Sequence, residues 1–134
     1  MTKVYIDENI SPYLAEGLRI LEKPVGNDFE VLSIAKIFGQ GAKDEDWIPK
    51  VGAENGIVIT QDLNIHRVRR QRELYQHHNV GIFFLSPPKK EGIRYWDMVL
   101  LLINRWQEIK KKAITERPFA FRSTPCRPGF EQLP

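Results

Sequence analysis

The chain has 134 residues, 42% hydrophobic and 28% charged, with a formal net charge of +3 and one cysteine, Cys126. That length and apolar content suit one soluble domain with its own core, and they exclude a disulfide framework within the chain. No run spans a bilayer, since "MVLLLI" at 98–103 is the longest apolar stretch, and Asp7 and Glu8 interrupt any secretory leader. The expectation is a cytoplasmic protein with no membrane partner; the mild positive charge fits ordinary solubility as well as a nucleic-acid partner.

"KVYI" at 3–6 reads as a short buried strand ending in "DEN". In "SPYLAEGLRILEK", Ser11 is a good N-cap, Pro12 suits the first helical position, and Leu14, Leu18 and Leu21 recur at helical spacing on one core face. "FEVLSI" at 29–34 reads as a second strand, and "GQGAKDEDWIP" as a loop entering a helix. Asp44 or Asp46 is the candidate cap there; with Asp46, Pro49 falls in the first turn, where it is tolerated. Gly56 is the expected C-terminal stop.

"IVIT" at 57–60 is a third strand, "NIHRVRRQRELYQHH" one helix ending before Asn79, and "VGIFFL" at 80–85 a fourth strand. "SPPKKEG" is a loop. The longest helix is "IRYWDMVLLLINRWQEIKKKAI", whose final lysines complement its dipole. Its face of Trp96, Val99, Leu100, Ile103 and Trp106 is expected mostly in the core, with partner surface as the alternative. "RPFAFR" reads as a last edge strand, and Ser123 to Pro134 as a loose or docked tail. Strands alternating with helices imply an α/β, three-layer fold: a mainly parallel sheet of four to five strands, helices on both faces, one domain over 1–122 and a tail over 123–134.

Ligand sites in such folds form at the carboxyl ends of the strands. Asp7 and Glu8 follow strand one and Asp62 follows strand three; if those strands are neighbours, Asp7 and Asp62 meet. "KDEDW" brings Asp44, Glu45 and Asp46 to a helix start that the fold can bend toward the same edge. Carboxylates gathered in one cleft repel, raise one another's pKa and call for a cation such as Mg²⁺ or Mn²⁺. Each also has a plainer role: Asp7 in a turn, Asp62 or Asn64 as a helix cap, the 44–46 acids as partners of a helix dipole, and Glu8 in solvent. After Asp62 come His66, Arg67, Arg69, Arg70 and Arg72. They cannot all face one way. Basic groups in a helix's first turn oppose its dipole, which a phosphate backbone passing the acids would offset, so His66, Arg67, Arg69 and Arg70 are the candidate contacts to a nucleic-acid backbone.

"YIDENIS", "GAKDEDWI" and "VITQDLNI", in this order, resemble the PIN-like nucleases, most closely the small branch related to VapC-type toxins of toxin–antitoxin systems. The resemblance covers residues 1 to about 85. It implies a PIN-like fold and a metal-dependent endoribonuclease using Mg²⁺ or Mn²⁺. Asp7, Asp44 and Asp62 are its implied catalytic acids, with Glu45 competing with Asp44. The implied metal ligands are Asp7, Glu8, Asp44, Glu45, Asp62 and Asn64, and Thr60 would orient the site through its hydroxyl. Asn64 stands where many relatives carry another Asp, which suits single-metal chemistry or weakened activity. RNA is the implied substrate, an antitoxin protein the implied partner, and a homodimer a further possibility. A receiver domain, with Lys89 as its lysine, lacks an acid in "FEVLSIAKIF"; an Asp phosphatase would want Asp-x-Asp where "DEN" stands. The non-enzymatic alternative is a catalytically weak PIN-like module that binds RNA or protein.

Overall fold

The structure is a computed structural model that describes residues 1–86 and 93–134. The loop reading of 86–92, Ser86 apart, and the reading of Lys89 lie outside those residues. In chain order the elements are β1 (Thr2–Ile6), α1 (Pro12–Glu22), a 3₁₀ turn (Lys23–Val25), β2 (Phe29–Ser33), α2 (Ile34–Phe38), α3 (Asp44–Ala53), β3 (Ile57–Thr60), α4 (Asn64–Arg67), α5 (Arg69–His77), β4 (Gly81–Leu85), α6 (Tyr95–Lys112), β5 (Phe119–Thr124) and β6 (Arg127–Gln132).

The strands form one six-stranded sheet in the order β2-β1-β3-β4-β5-β6, parallel except for the antiparallel β5–β6 pair. One sheet face packs on α1 and α6 through Val4, Ile59 and Phe83 against Leu18, Leu102 and Ile109. The other packs on α2 to α5 through Tyr5, Val58, Ile82 and Phe84 against Trp47, Ile48, Ile65 and Tyr75. Both faces are covered, so β3 and β4 are buried along their whole length, which is why they read as unbroken apolar runs. This is the expected three-layer α/β fold, with more strands than expected. Among the described residues no helix is long and apolar enough to cross a membrane.

Local chemistry explains the departures. Ser11 caps α1 as expected, its Oγ accepting from the Tyr13 N–H at 3.2 Å. Leu21 is 64% exposed, because the core stripe runs Leu14–Leu18–Glu22. Glu22 holds that last position, 6% exposed, because Trp106 Nε1 donates to its carboxylate at 2.9 Å and Lys110 Nζ at 3.2 Å. Ser33 ends β2 and caps the unforeseen α2, accepting from the Lys36 N–H. Neither Asp44 nor Asp46 caps α3: Lys43 does so by backbone alone, and Pro49 lies inside the helix. Asn55, at φ 55°, makes the left-handed turn after α3. Gly56 is required for another reason, since a Cβ there would stand 2.9 Å from the Tyr5 ring.

The helix expected over 64–78 is two helices, broken at Val68, whose ψ of 117° is extended. The His66 carbonyl freed by the break accepts from Arg72 Nη1 at 2.9 Å. On α6 the sheet-facing residues are Met98, Leu101, Leu102, Trp106 and Ile109, so Trp96, Leu100 and Ile103 face outward on the neighbouring stripe. β5 is not an edge: the segment expected as a tail turns back as β6. Pro128 and Gly129 disguise that strand in the sequence, and a sheet tolerates them at its border.

Candidate active site

The chain runs outward from β1 to β2, then crosses back to β3 on β1's other side. That reversal makes the carboxyl ends of β1 and β3 the switch point where such sheets bind ligands. β1 and β3 are neighbours, and the Asp7 N–H donates to the Ile59 carbonyl at 3.0 Å, which carries their pairing one step beyond Ile6. Asp7 therefore stands beside Thr60. Thr60 Oγ1 donates to Asp7 Oδ2 at 2.7 Å and accepts from Asn9 Nδ2 at 3.1 Å and from the Asp62 N–H at 3.0 Å. One donor and two acceptors exhaust a hydroxyl, so the Thr60 proton must point at Asp7. Asn9 also takes the Gln61 N–H on its Oδ1, while its carbonyl accepts from Gln61 Nε2. It clamps the end of β1 to the end of β3.

Asp44, first residue of α3, comes to the same edge. Its Oδ2 accepts from Gln71 Nε2 on α5 at 2.6 Å. Asp62 Oδ1 accepts from the Asn64 N–H at 3.0 Å, so Asp62 also holds the turn into α4. The three acids feel each other. Burial pushes the Asp44 carboxyl up to about 6, helped by the charges of Asp7 and then Asp62. Asp7 is 9% exposed; burial raises its pKa, the bonds from Thr60 and the Glu8 N–H oppose the rise, and the charge of Asp62 adds to it. Among the described residues none of the three acids has a Lys, Arg or His partner within salt-bridge distance.

The other expected residues stand differently. Glu8 Oε2 accepts from the Gly41 N–H at 2.9 Å and so ties the loop before α3 to β1. Glu45 is exposed and lines a surface groove with Phe38 and Lys50. Asn64 is exposed and meets Asp62 through its backbone N–H. His66 is not a surface contact: it is 9% exposed, its Nδ1 lies 2.7 Å from Tyr75 Oη, and its ring packs edge-on to Phe84. Burial, then the charge of Arg72, lowers its pKa. Arg67, Arg69 and Arg70 are exposed, with Arg69 bonded to Glu73. Sequence reasoning missed Asn9 and Gln71. The first had a signal, as the third residue of "DEN"; the second had none, because its partner Asp44 is 27 positions away.

A divalent cation suits this donor set chemically, since hard carboxylate oxygens held by neutral donors keep their full charge. Among the described residues, however, no three His, Cys, Asp or Glu side chains already stand close enough to hold one ion. A groove of about 700 Å³ lies elsewhere, between α1 and the edge strand β2, and none of the three acids lines it.

A mainly parallel sheet between two helical layers, with three acids at the carboxyl ends of its strands and at a helix start beside them, defines a three-layer α/β protein with an acidic cleft at its switch point. The family described as "PIN like domain" matches residues 2–87, and the chain belongs to it; nucleases are common in that family. No curated protein and no solved structure gives a significant match.

Proposed function

We propose that the protein is a metal-dependent endoribonuclease, the toxin of a toxin–antitoxin pair acting in the cytoplasm. The observation that carries this reading is the trio Asp7, Asp44 and Asp62: mutually repelling carboxylates without a cationic side-chain partner among the described residues, at the ligand-binding edge of a PIN-like chain. These acids would hold Mg²⁺ or Mn²⁺, which when bound polarises a phosphodiester and lowers the pKa of water. The chain's own groups orient the acids. Thr60 fixes the Asp7 carboxylate, Gln71 fixes Asp44, and the Asn64 N–H fixes Asp62. Arg67 and Arg70 offer exposed charge to the RNA backbone. The outward stripe Trp96, Leu100 and Ile103 offers an apolar face for an antitoxin or a second copy.

A second reading, an RNA- or protein-binding module, is favoured by one observation: no three acid side chains converge at metal-binding distance among the described residues. Labelled RNA with Mn²⁺, run beside Asp62→Asn and beside EDTA, separates the two. Cleavage by wild type alone, lost in EDTA, supports the nuclease. RNA binding without cleavage in any lane supports the module, and equal cleavage by the mutant removes Asp62 from the chemistry.

A further inference from the structure

The sheet register puts a cation on the same face as the acids. Asp7 and Thr60 stand side by side, Thr60 pairs with Phe84, and Phe84 pairs with Arg122. These four residues form one cross-strand row over β1, β3, β4 and β5. Two residues earlier on each strand lie Tyr5, Val58, Ile82 and Ala120, all in the core beneath α3 to α5. Residues two apart on a strand share a face, so Arg122 projects on the same side as Asp7 and Thr60. It stands two strand spacings, about 10 Å, from Thr60.

The Arg122 side chain leans toward the acids. Its Nε donates at 3.0 Å to Oγ of Ser86, a buried residue just past the end of β4, one strand nearer to the cleft. That bond fixes the guanidinium while using one of its five N–H donors. Glu131 faces Arg122 in the β5–β6 ladder, yet no Asp or Glu among the described residues lies within salt-bridge distance of it. Three other arginines are engaged within the fold: Arg72 on the His66 carbonyl, Arg69 on Glu73, and Arg105 on Ser123. Between Arg122 and the acids the floor is Phe84, apolar and buried, with His66 packed on it.

We infer that Arg122, positioned by Ser86, is an anion subsite of this cleft that takes a backbone phosphate of the RNA strand next to the one held at the acids. The inference rests on the nuclease reading, and it adds an anchor that holds the strand across the sheet edge. A planar guanidinium whose outer donors have no partner among the described residues is well suited to a phosphate.

The test measures binding of a labelled single-stranded RNA in EDTA over a range of salt, then cleavage in Mn²⁺, for wild type, Arg122→Gln, Arg122→Lys and Ser86→Ala. Because it removes one cation from the phosphate track, Arg122→Gln should weaken low-salt binding by roughly 5- to 10-fold and flatten the log–log salt slope by about 0.7. Arg122→Lys should restore the slope. Ser86→Ala should weaken binding less and leave the slope in place. In cleavage, Arg122→Gln should raise KM with kcat little changed. A wild type that cleaves, beside an Arg122→Gln protein with unchanged affinity and slope, overturns the inference and leaves the nuclease standing. A wild type that never cleaves, while Arg122→Gln still loses slope, supports the phosphate subsite and removes the nuclease. Should Arg122→Gln melt early, Arg122→Lys decides: a wild-type melt with no recovery of slope overturns the inference.

Discussion

Replacing Asp44 by Asn should stabilise the protein in EDTA at neutral pH and not at acid pH. The Asp44 carboxyl is raised from 3.8 to about 6 by burial and by the charges of Asp7 and Asp62. Folded protein then holds this proton more tightly than unfolded chain, so between about pH 4 and pH 6 stability falls as pH rises. Below pH 4 both states are protonated and nothing is lost; above 6 the whole penalty is present. A shift near two units corresponds to roughly 3 kcal/mol, and screening of a partly exposed group reduces that to about 1–2 kcal/mol. Asn keeps the shape, and its amide oxygen can still accept from Gln71. For a chain of this size the melting temperature should rise by roughly 3–7 °C at pH 7.5 and by almost nothing near pH 4. Mn²⁺ should raise the melting temperature of wild type more than that of the variant, reversing their order. A variant that melts lower than wild type at pH 7.5 in EDTA, or by the same offset at both pH values, would refute the repulsion argument.

Three further outcomes are expected. Thr60→Val removes the donor to Asp7 and the acceptor for Asn9 and the Asp62 N–H, so denaturant melts should show a loss of about 1–3 kcal/mol, with Thr60→Ser recovering most of it. His66→Ala should cost stability without changing the salt slope of RNA binding, because the ring is buried on Tyr75 and Phe84, whereas Arg67→Ala should weaken binding more at low salt than at high salt. A Cβ on Gly81 would enter the Phe119 ring, so Gly81→Ala should destabilise by about 1–3 kcal/mol in the same melts while RNA affinity per folded molecule stays constant.

How much of this was legible follows from the range of the interactions. β1, β3 and β4 are buried on both faces, so they declared themselves as apolar runs, and the positions of Asp7 and Asp62 at their ends followed. The meeting of those ends needed one topological condition, the adjacency of β1 and β3, and the sheet satisfies it. Leu21 was misread because Glu22 can take the last core position of α1 only with Trp106 and Lys110, more than 80 residues on, to satisfy it. The break at Val68 carries neither Gly nor Pro, so local propensity gave no sign of it. β6 was hidden by the residues that usually end strands. Gln71, Ser86 and Arg122 act across chain separations of 27 and 36 residues, and no local pattern encodes such pairs.

Glu22 also supplies an internal standard for the acids. It is about as buried as Asp7, and the fold meets its charge with the Lys110 ammonium and the Trp106 N–H. That is how a chain keeps a carboxylate whose task is structural: a counter-charge compensates its desolvation. At the switch point every described hydrogen bond to Asp7, Asp44 and Asp62 comes from a neutral donor: a hydroxyl, a backbone N–H or an amide. Neutral donors orient carboxylates without cancelling their charge. Arg122, a basic group on the same sheet face, is held two strands from Thr60 by a serine instead of reaching the acids. Close enough, it would neutralise them; at about 10 Å from Thr60 it stands apart from them, which fits the proposed cation at one end of the row and the proposed anion at the other. The separation of the two signs along one row of the sheet is the arrangement that the proposed phosphate-strand site would need, whereas a structural ion pair such as Glu22–Lys110 brings them together.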